Sequence, residues 1–177
     1  MNIIIISDTH LKSGSIRDQL PDELITLIKK ADMLIHAGDF ISKEAFFELS
    51  AISDIQAVYG NMDGPELKSM LPERKVIEVK GIKIGIIHEA ALSIQDTTGA
   101  RYMAKEMGVN VLVFGHIHRP IIEKSDVMLV CPGSPTFPRL SGPAAVELDI
   151  EKGEISGKII MLPGAHCGVL KSAGIGR

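Results

Sequence analysis

Short apolar runs alternate with amphipathic segments through the first third of the chain. Residues 2–7, 33–37 and 55–59 are dominated by large apolar side chains and contain no Asp, Glu, Lys or Arg, which is typical of buried strands. Between these runs, apolar positions recur at helical spacing after Pro21 and again after Ser42, whose side chain suits a helix N-cap. Strands that alternate with helices predict parallel pairing through right-handed crossovers.

The second half of the chain changes character, because tight turns replace most of the connecting helices. Predicted strands lie at residues 75–79, 82–88, 111–114, 127–130, 144–150 and 154–161. Residues 80–81 and 151–153 suit hairpin turns, and a helix is predicted over residues 95–107. This half is therefore predicted to be mostly antiparallel, which gives an α/β fold of two sheets packed face to face with helices outside. The polar segment 11–20 is predicted to be a loop.

Side chains able to bind metal follow these strands at their carboxyl ends. The candidate ligands are Asp8, His10, Asp39, Asn61, His88, His116 and His118. Gly115 precedes the two histidines of the last motif and is expected to let the backbone turn sharply as it leaves the sheet. Because ligands of open α/β sheets bind at the carboxyl ends of the strands, we expect these side chains to converge. Each short motif taken alone also fits a turn or a helix cap.

The chemistry of this set indicates a metal centre. Two carboxylates, one amide and four imidazoles are too many ligands for a single tetrahedral ion, and they suit two ions that share a ligand. A mixed nitrogen and oxygen set without thiolate favours manganese, iron, zinc, cobalt or nickel over calcium. The positive charge of two divalent ions would favour a bridging hydroxide and an anionic substrate. Paired metals of this kind clamp the attacking and leaving oxygens of an in-line displacement at phosphorus.

Composition limits the class of protein. The chain has 177 residues, 45% of them hydrophobic, which suits one folded domain over residues 1–162 and a glycine-rich C-terminal tail over residues 163–177. A net charge of −3 argues against a general nucleic-acid surface. Two cysteines make no disulfide framework, and the apolar opening is too short for a signal peptide or a membrane span. We therefore expect a soluble cytoplasmic protein.

Five motifs in a fixed order resemble those of the calcineurin-like metallophosphoesterases. They are Asp8-x-His10, Gly38-Asp39, Gly60-Asn61, His88 and Gly115-His116-x-His118. In length and in the turn Pro132-Gly133-Ser134, the chain is similar to the small bacterial and archaeal phosphodiesterases of that superfamily. The resemblance implies a four-layer α/β/β/α sandwich with two mixed sheets. It also implies two divalent metal ions per chain, with Mn²⁺ expected before Ni²⁺, Fe²⁺, Zn²⁺ or Co²⁺.

The resemblance further implies roles for single residues. The first metal would be bound by Asp8, His10 and His118, and the second by Asn61, His88 and His116. Asp39 would bridge the two metals, and Asp39, Asn61 and His88 would be the catalytic residues. The small phosphodiesterases are often oligomeric, so a homodimer or homotetramer is expected by analogy.

Two positions depart from the family pattern. Many members carry a histidine after the asparagine, thought to protonate the leaving group or hold the phosphate, whereas this chain has Met62. Without a general acid there, we expect weak turnover of esters with poor leaving groups. The family usually has glycine after the histidine that matches His88, whereas this chain has Glu89, which could narrow the pocket, repel an anionic substrate or bind metal.

The predicted function is hydrolysis of a small phosphate ester, a phosphodiester rather than a monoester, by a dinuclear metal centre. The competing hypothesis is a non-catalytic binding scaffold, because a subunit of the retromer coat of endosomes resembles these enzymes but has a degraded metal site. A nuclease is less favoured, because the chain leaves no room for a DNA-gripping domain. The other polar residues are expected to be structural: His36 buried within its strand, and Arg119 and Arg139 solvated.

Overall fold

The computed structural model describes residues 1–90, 96–139 and 141–164. The strands are β1 (Asn2–Ile6), β2 (Met33–His36), β3 (Ile55–Ala57), β4 (Arg74–Val79), β5 (Ile82–Ile87), β6 (Val111–Val113), β7 (Pro120–Lys124), β8 (Met128–Pro132), β9 (Ala144–Glu151) and β10 (Glu154–Met161). The helices are α1 (Ile16–Gln19), α2 (Asp22–Lys30), α3 (Lys43–Ser50), α4 (Pro65–Met70) and α5 (Thr98–Met107). Most of the predicted tail, residues 165–177, lies outside the described residues.

The first sheet has the strand order β10-β9-β1-β2-β3. Strands β1, β2 and β3 pair in parallel, as the alternation of strands and helices predicts. Strand β9 pairs antiparallel with β1, and the predicted hairpin places β10 outside β9. The carboxyl ends of β1, β2 and β3 therefore meet at one edge of this sheet.

The second sheet has the strand order β4-β5-β6-β8-β7 and corrects part of the prediction. Its outer pairs, β4 with β5 and β7 with β8, are antiparallel, but β5, β6 and β8 pair in parallel. The parallel centre arises because helix α5 carries the chain from β5 back to the start of β6. Strand β7 was not predicted, since it is a half-buried edge strand that begins with Pro120.

Alternating side chains of the strands build three apolar layers. Ile3 and Ile5 of β1 point into the space between the two sheets, where they pack with residues such as Ile84 and Val130. Ile4 and Ile6 point the other way and pack under α2, α3 and α4. Helix α5 covers the outer face of the second sheet. The chain is thus a four-layer α/β/β/α sandwich of two mixed sheets, which confirms the predicted fold.

The local differences from prediction are short elements. Helix α1 lies within the predicted loop 11–20 and begins after Ser15, whose hydroxyl accepts a hydrogen bond from the amide of Arg17. Helix α4 buries a single apolar side chain, Leu67, and is too short to show a periodic pattern. Ser42 caps α3 as predicted, accepting from the amide of Ala45 at 3.1 Å. Of the helices in the described ranges, none is both long and apolar enough to cross a membrane.

Candidate metal centre

The predicted ligands lie on loops that leave the carboxyl ends of five strands. Asp8 and His10 follow β1, Asp39 follows β2, Asn61 follows β3, His88 follows β5, and His116 and His118 follow β6. The two sheets present these ends at the same edge of the sandwich. As a result, residues more than 100 positions apart in sequence come within hydrogen-bond distance of one another.

The first group of ligands comprises Asp8, His10 and His118. Nε2 of His118 lies 3.1 Å from Oδ1 of Asp8 and 3.4 Å from Nε2 of His10. Oδ2 of Asp39 lies 3.7 Å from Nε2 of His10, at the border of the group. The atoms that face one another are therefore the nitrogen and oxygen atoms that bind divalent cations.

The second group comprises Asp39, Asn61, His88 and His116. Oδ2 of Asp39 lies 3.4 Å from Nε2 of His88. Oδ1 of Asn61 lies 3.0 Å from the same nitrogen and 3.1 Å from Nδ1 of His116. Oδ2 of Asp39 is thus close to both groups. Oδ1 of Asp8 is also close to both, since it lies 3.9 Å from Nε2 of His88, so either carboxylate lies where a ligand shared by two ions would be.

Hydrogen bonds on the far side of two imidazole rings show which ring nitrogen carries the proton, and therefore whether a cation fits this site. Nδ1 of His88 donates to the carbonyl of Ala37 at 2.7 Å, and Nδ1 of His118 donates to the carbonyl of Phe137 at 2.5 Å. In a neutral imidazole the Nε2 atoms then carry lone pairs, and these lone pairs point at carboxylate and amide oxygens. Facing lone pairs repel unless a cation lies between them, so the donor set fits divalent metal ions.

In the absence of metal, the pKa values of His88 and Asp39 shift in the directions that favour a charged histidine beside a charged carboxylate. Burial lowers the pKa of His88, but the hydrogen bond to Asp39 and the charges of Asp8 and Asp39 outweigh burial and raise the pKa. Burial raises the pKa of Asp39, but the hydrogen bond and charge of His88 outweigh it and lower the pKa. A proton on His88 therefore takes the place of a cation beside Asp39, and protons compete with metal for this site.

Backbone strain is concentrated at the same residues. Positive φ angles occur at Asp8 (54°), His10 (44°), Asp39 (60°), His116 (71°) and His118 (55°). Each costs about 1–2 kcal/mol in an L-residue. The β1 and β2 loops hold this conformation jointly, since the amide of Asp8 donates to the carbonyl of Gly38 and the amide of His10 to the carbonyl of Asp39, both at 3.0 Å. The strained loops turn the ligand side chains toward the common centre.

The turn Pro132-Gly133-Ser134 begins at the end of β8 and lies against the first group of ligands. Ser134 is fully buried, and its hydroxyl donates to the carbonyl of Asp8 at 2.7 Å. The same oxygen accepts from the amide of Phe137 at 2.7 Å, which fixes the carbonyl that holds His118. This turn therefore positions Asp8 and His118 together.

His36 is buried and supports the Asp39 loop, as expected of a histidine inside a strand. Its Nδ1 accepts from the amide of Gly38 at 3.1 Å, so its Nε2 carries the proton and donates to the hydroxyl of Thr9 at 3.0 Å. Complete burial lowers the pKa of His36 well below its usual value, which keeps the ring neutral. Arg119 and Arg139 are exposed, as expected.

Asp63 is a supporting residue that the sequence analysis missed. Its carboxylate is 3% exposed and accepts three backbone hydrogen bonds: from Asp39 at 3.1 Å, Gly60 at 2.8 Å and Ile41 at 2.8 Å. It therefore ties the loop that carries Asp39 to the loop that carries Asn61. An acidic residue two positions after the asparagine of a strand-ending Gly-Asn pair was the available signal, but its partners lie 22 and 24 positions away.

Asp63→Asn should destabilise the protein by about 2 kcal/mol and weaken metal binding at least tenfold. The amide nitrogen of asparagine cannot accept, so at least one buried backbone N–H loses its partner. Urea unfolding and metal titration of the purified variant measure the two effects. Asp54→Asn, at an exposed carboxylate near β3, is the matched control and should change neither. Wild-type stability together with wild-type metal affinity in Asp63→Asn would contradict this role.

Known proteins resemble this chain over most of its length. The family described as the calcineurin-like phosphoesterase superfamily domain matches residues 1–153. A probable metallophosphoesterase of Methanothermobacter thermautotrophicus is 33% identical over 171 residues, which cover 94% of this chain and 96% of that protein. Phosphodiesterase MJ0936 of Methanocaldococcus jannaschii is 29% identical over 168 residues, which cover 87% of this chain and 96% of that protein.

One solved structure illustrates how widely this fold is shared. Vacuolar protein sorting 29 of Cryptosporidium parvum superposes with a TM-score of 0.71 at 21% identity, covering 90% of this chain and 96% of that one. At this identity the likeness shows the fold alone. The family assignment rests instead on the match over residues 1–153 and on the relative that is 33% identical over nearly the whole chain. The chain belongs to the calcineurin-like phosphoesterase superfamily.

Proposed function

We propose that this protein is a dinuclear metal-dependent phosphodiesterase. The observation that carries the proposal is the convergence of all seven ligand-type side chains into two groups, with the carboxylates of Asp8 and Asp39 close to members of both. A relative of similar length that is named a phosphodiesterase supports the choice of reaction. Mn²⁺ is the expected metal, and Ni²⁺, Fe²⁺, Zn²⁺ and Co²⁺ suit the same ligands.

Different residues would hold each of the two metal ions. Asp8, His10 and His118 would hold the first ion, Asn61, His88 and His116 the second, and Asp39 both. When bound, the ions would supply positive charge that binds phosphate and would lower the pKa of a bound water toward neutrality. Among the seven ligand-type residues, only Asp8 and Asp39 bring negative charge against the two ions, so the site favours an anionic ester.

The exposure of the ligands indicates the side from which a substrate enters. The side chains of Asp8, Asp39, His88 and His118 are almost fully buried. His116 is 33% exposed and His10 is partly exposed, and they lie at the open side of the two groups. A phosphate group that approaches from this side meets the ligand groups without any movement of the buried residues.

Glu89 lies at the same opening and favours diesters over monoesters. Its carboxylate is 3.6 Å from Nδ1 of His116 and half exposed. A phosphomonoester carries about two negative charges near neutral pH, and a diester carries one. Repulsion by Glu89 therefore acts more strongly on the monoester, because the Coulomb energy scales with the charge of the substrate.

Glu89→Gln should raise kcat/KM a few-fold for p-nitrophenyl phosphate and less for bis-p-nitrophenyl phosphate. The difference should shrink as salt is added, because salt screens exposed charges. Glu151→Gln, at an exposed carboxylate on β9, is the control and should leave the ratio unchanged. An unchanged ratio of the two substrates in Glu89→Gln would contradict this role, and a loss of bound metal would assign Glu89 as a ligand.

Met62→His should raise turnover of esters with poor leaving groups by about tenfold, since a positioned general acid contributes at least that factor. Met62 is 58% exposed, and its amide donates to Oδ1 of Asp39 at 2.8 Å, so the side chain begins at the opening of the site. A series of aryl methyl phosphates measures the dependence of rate on the leaving-group pKa, which should be shallower in Met62→His. Met62→Leu is the control, and equal slopes in Met62→His and the wild type would contradict the prediction.

The test of the proposal is metal content measured together with hydrolysis of both p-nitrophenyl substrates in added Mn²⁺. Two metal ions per chain and faster cleavage of the diester are expected. The competing hypothesis is a non-catalytic scaffold of the same fold. A protein that takes up no metal even in excess Mn²⁺ would favour the scaffold, although every expected ligand position is filled.

A further inference from the structure

A pocket of about 380 Å³ opens beside the first group of ligands. It is lined by His10, Lys12, Ile41, His118, Phe137, Pro138 and Arg139. Two of these residues, His10 and His118, are candidate metal ligands, so the pocket is continuous with the site at which a phosphate would bind. Its volume lies within the range of small-molecule sites and suits a single ring system.

The wall of this pocket includes an aromatic ring that is both exposed and firmly held. Phe137 is 52% exposed, and its ring meets the ring of His10 edge to face at a centroid distance of 5.4 Å. The backbone of Phe137 is fixed at both polar atoms, by the hydroxyl of Ser134 and by Nδ1 of His118. Exposing a large apolar ring to water is unfavourable. In this position, the ring provides a flat surface beside the first group of ligands.

Ile41 adds a second apolar side chain to the same pocket at the cost of backbone strain. Its φ angle is 77°, in the left-handed region that β-branched residues avoid. The other non-glycine residues with positive φ in the described ranges are five of the seven candidate ligands and two hairpin residues, Lys80 and Lys152. The conformation is held by the hydrogen bond from the Ile41 amide to Asp63, while the side chain is left partly exposed. Strain of this kind at an exposed apolar residue indicates a functional requirement.

Two cations complete the pocket. Lys12 and Arg139 line it together with the apolar residues. A purely hydrocarbon ligand would gain nothing from these charges, whereas a planar ring that carries oxygen atoms or a neighbouring phosphate would gain from both the ring of Phe137 and the cations. The combination therefore favours an aromatic, nucleoside-like group.

A separate pocket of about 340 Å³ borders the second group of ligands, next to Asn61 and His88. Its lining includes Lys68, Glu73 and Arg74, and it is more polar than the first. A phosphodiester has two substituents on phosphorus, and the two pockets lie on opposite groups of the same centre. The aromatic substituent is matched to the side of Phe137 and Ile41.

We infer that the pocket formed by Ile41, Phe137, Lys12 and Arg139 binds a planar aromatic ester group of the nucleoside type while the phosphate occupies the metal centre. This assignment rests on the proposed function and specifies its substrate class as small phosphate esters that carry an aromatic ring. A free small ester fits better than a nucleic-acid strand, because the chain has a net charge of −3.

Calorimetric titration of the Mn²⁺-loaded protein with adenosine 5′-monophosphate and with ribose 5-phosphate tests this assignment. The two ligands share the 5′-phosphate and differ in the base, so the ratio of their dissociation constants isolates the pocket. We expect the nucleotide to bind about tenfold more tightly, as one base–aromatic stacking contact provides. Phe137→Ala and Phe137→Leu should reduce that ratio to about one. The ratio is compared within each variant because the ring also contacts His10, so a change at the metal centre acts on both ligands. Tyr102→Ala, at an exposed aromatic residue on α5, should keep the tenfold ratio.

The alternative outcomes separate the pocket from the proposed function. Equal affinity for both ligands in the wild type would overturn the assignment of the pocket. So would a tenfold ratio that persists in Phe137→Leu at wild-type melting temperature. Either result would leave the phosphoesterase proposal intact. Failure of both monoesters to bind the metal-loaded protein would also overturn the assignment of the pocket, whereas the phosphodiesterase proposal is decided separately by metal content and hydrolysis of bis-p-nitrophenyl phosphate. Tighter binding of a single-stranded oligonucleotide than of the mononucleotide would overturn the assignment to a small ester.

Discussion

Asp39→Asn should lose at least one of two bound metal ions and lower the turnover of bis-p-nitrophenyl phosphate by about a thousandfold or more. Oδ2 of Asp39 lies near both groups of ligands, 3.4 Å from Nε2 of His88 and 3.7 Å from Nε2 of His10. Metal-bound charge contributes several kcal/mol to the stability of a phosphoryl transition state, and each 1.4 kcal/mol is about a factor of ten in rate. Removing a shared ligand therefore weakens the binding of both ions.

Asparagine is the informative substitution because it keeps the size of the side chain. Oδ1 of Asp39 accepts from the amide of Met62 at 2.8 Å, and the amide oxygen of asparagine can preserve that bond. The variant therefore tests the charge and the ligand oxygen Oδ2 rather than the loop. Metal content by mass spectrometry of the intact protein, circular dichroism and turnover are measured together, with Asp54→Asn as the control. Two bound ions and normal turnover in Asp39→Asn would contradict its assignment as the bridging ligand.

The sequence predicted which residues converge at this edge because two local rules coincide at them. The apolar runs identify strands, and His, Asp and Asn immediately after a strand are unusual enough to be noticed. The parallel order of β1, β2 and β3 then brings their ends together without any further information. In the second sheet, β5 and β6 are parallel, so His88 lies at the same edge as His116 and His118.

Residues whose role depends on distant partners were not predicted. Asp63 looks like an ordinary turn residue until Ile41, Asp39 and Gly60 are placed around it. Phe137 follows a turn and has no periodic neighbours, so neither its exposure nor its contact with His10 has a signal in the sequence. Strand β7 depends on its pairing with β8, which propensity alone does not encode. In each case the cause is a contact between segments far apart in the chain.

Gly115 shows how a correct choice of residue can rest on the wrong reason. The predicted sharp turn does follow β6, where the amide of Ile117 donates to the carbonyl of Gly115 at 2.9 Å, but the left-handed φ lies on His116 and not on Gly115. The requirement is space instead. A methyl group on Gly115 would overlap the hydroxyl of Ser7 and lie 2.9 Å from Oδ2 of Asp8 and 3.0 Å from the carbonyl of Ala37. The loop after β6 therefore crosses the β1 and β2 loops at the closest distance that the backbone allows.

Gly115→Ala should destabilise the protein by about 3 kcal/mol, which lowers the melting temperature by roughly 6–12 °C for a chain of this size. Ser7 is fully buried and its hydroxyl donates to the carbonyl of Ala37, so it cannot move aside without losing that bond. The displaced loop also carries His116, whose amide donates to Oδ2 of Asp8 at 3.0 Å. Metal affinity should therefore fall with stability, and thermal unfolding and metal titration measure the two changes.

Two further variants show whether the overlap with Ser7 is the cause. Gly64→Ala is the control, because a methyl group on Gly64 meets no atom within 4 Å and should leave the melting temperature unchanged. Ser7→Ala combined with Gly115→Ala removes the closest overlap, so the double variant should be more stable than the sum of the two single effects. The recovery should be partial, since Asp8 and Ala37 still crowd the added methyl group. A melting temperature within about 2 °C of the wild type in Gly115→Ala would mean that the loops can separate without cost. In that case the close approach of the β6 loop would not be what holds Asp8 and His118 in the same group.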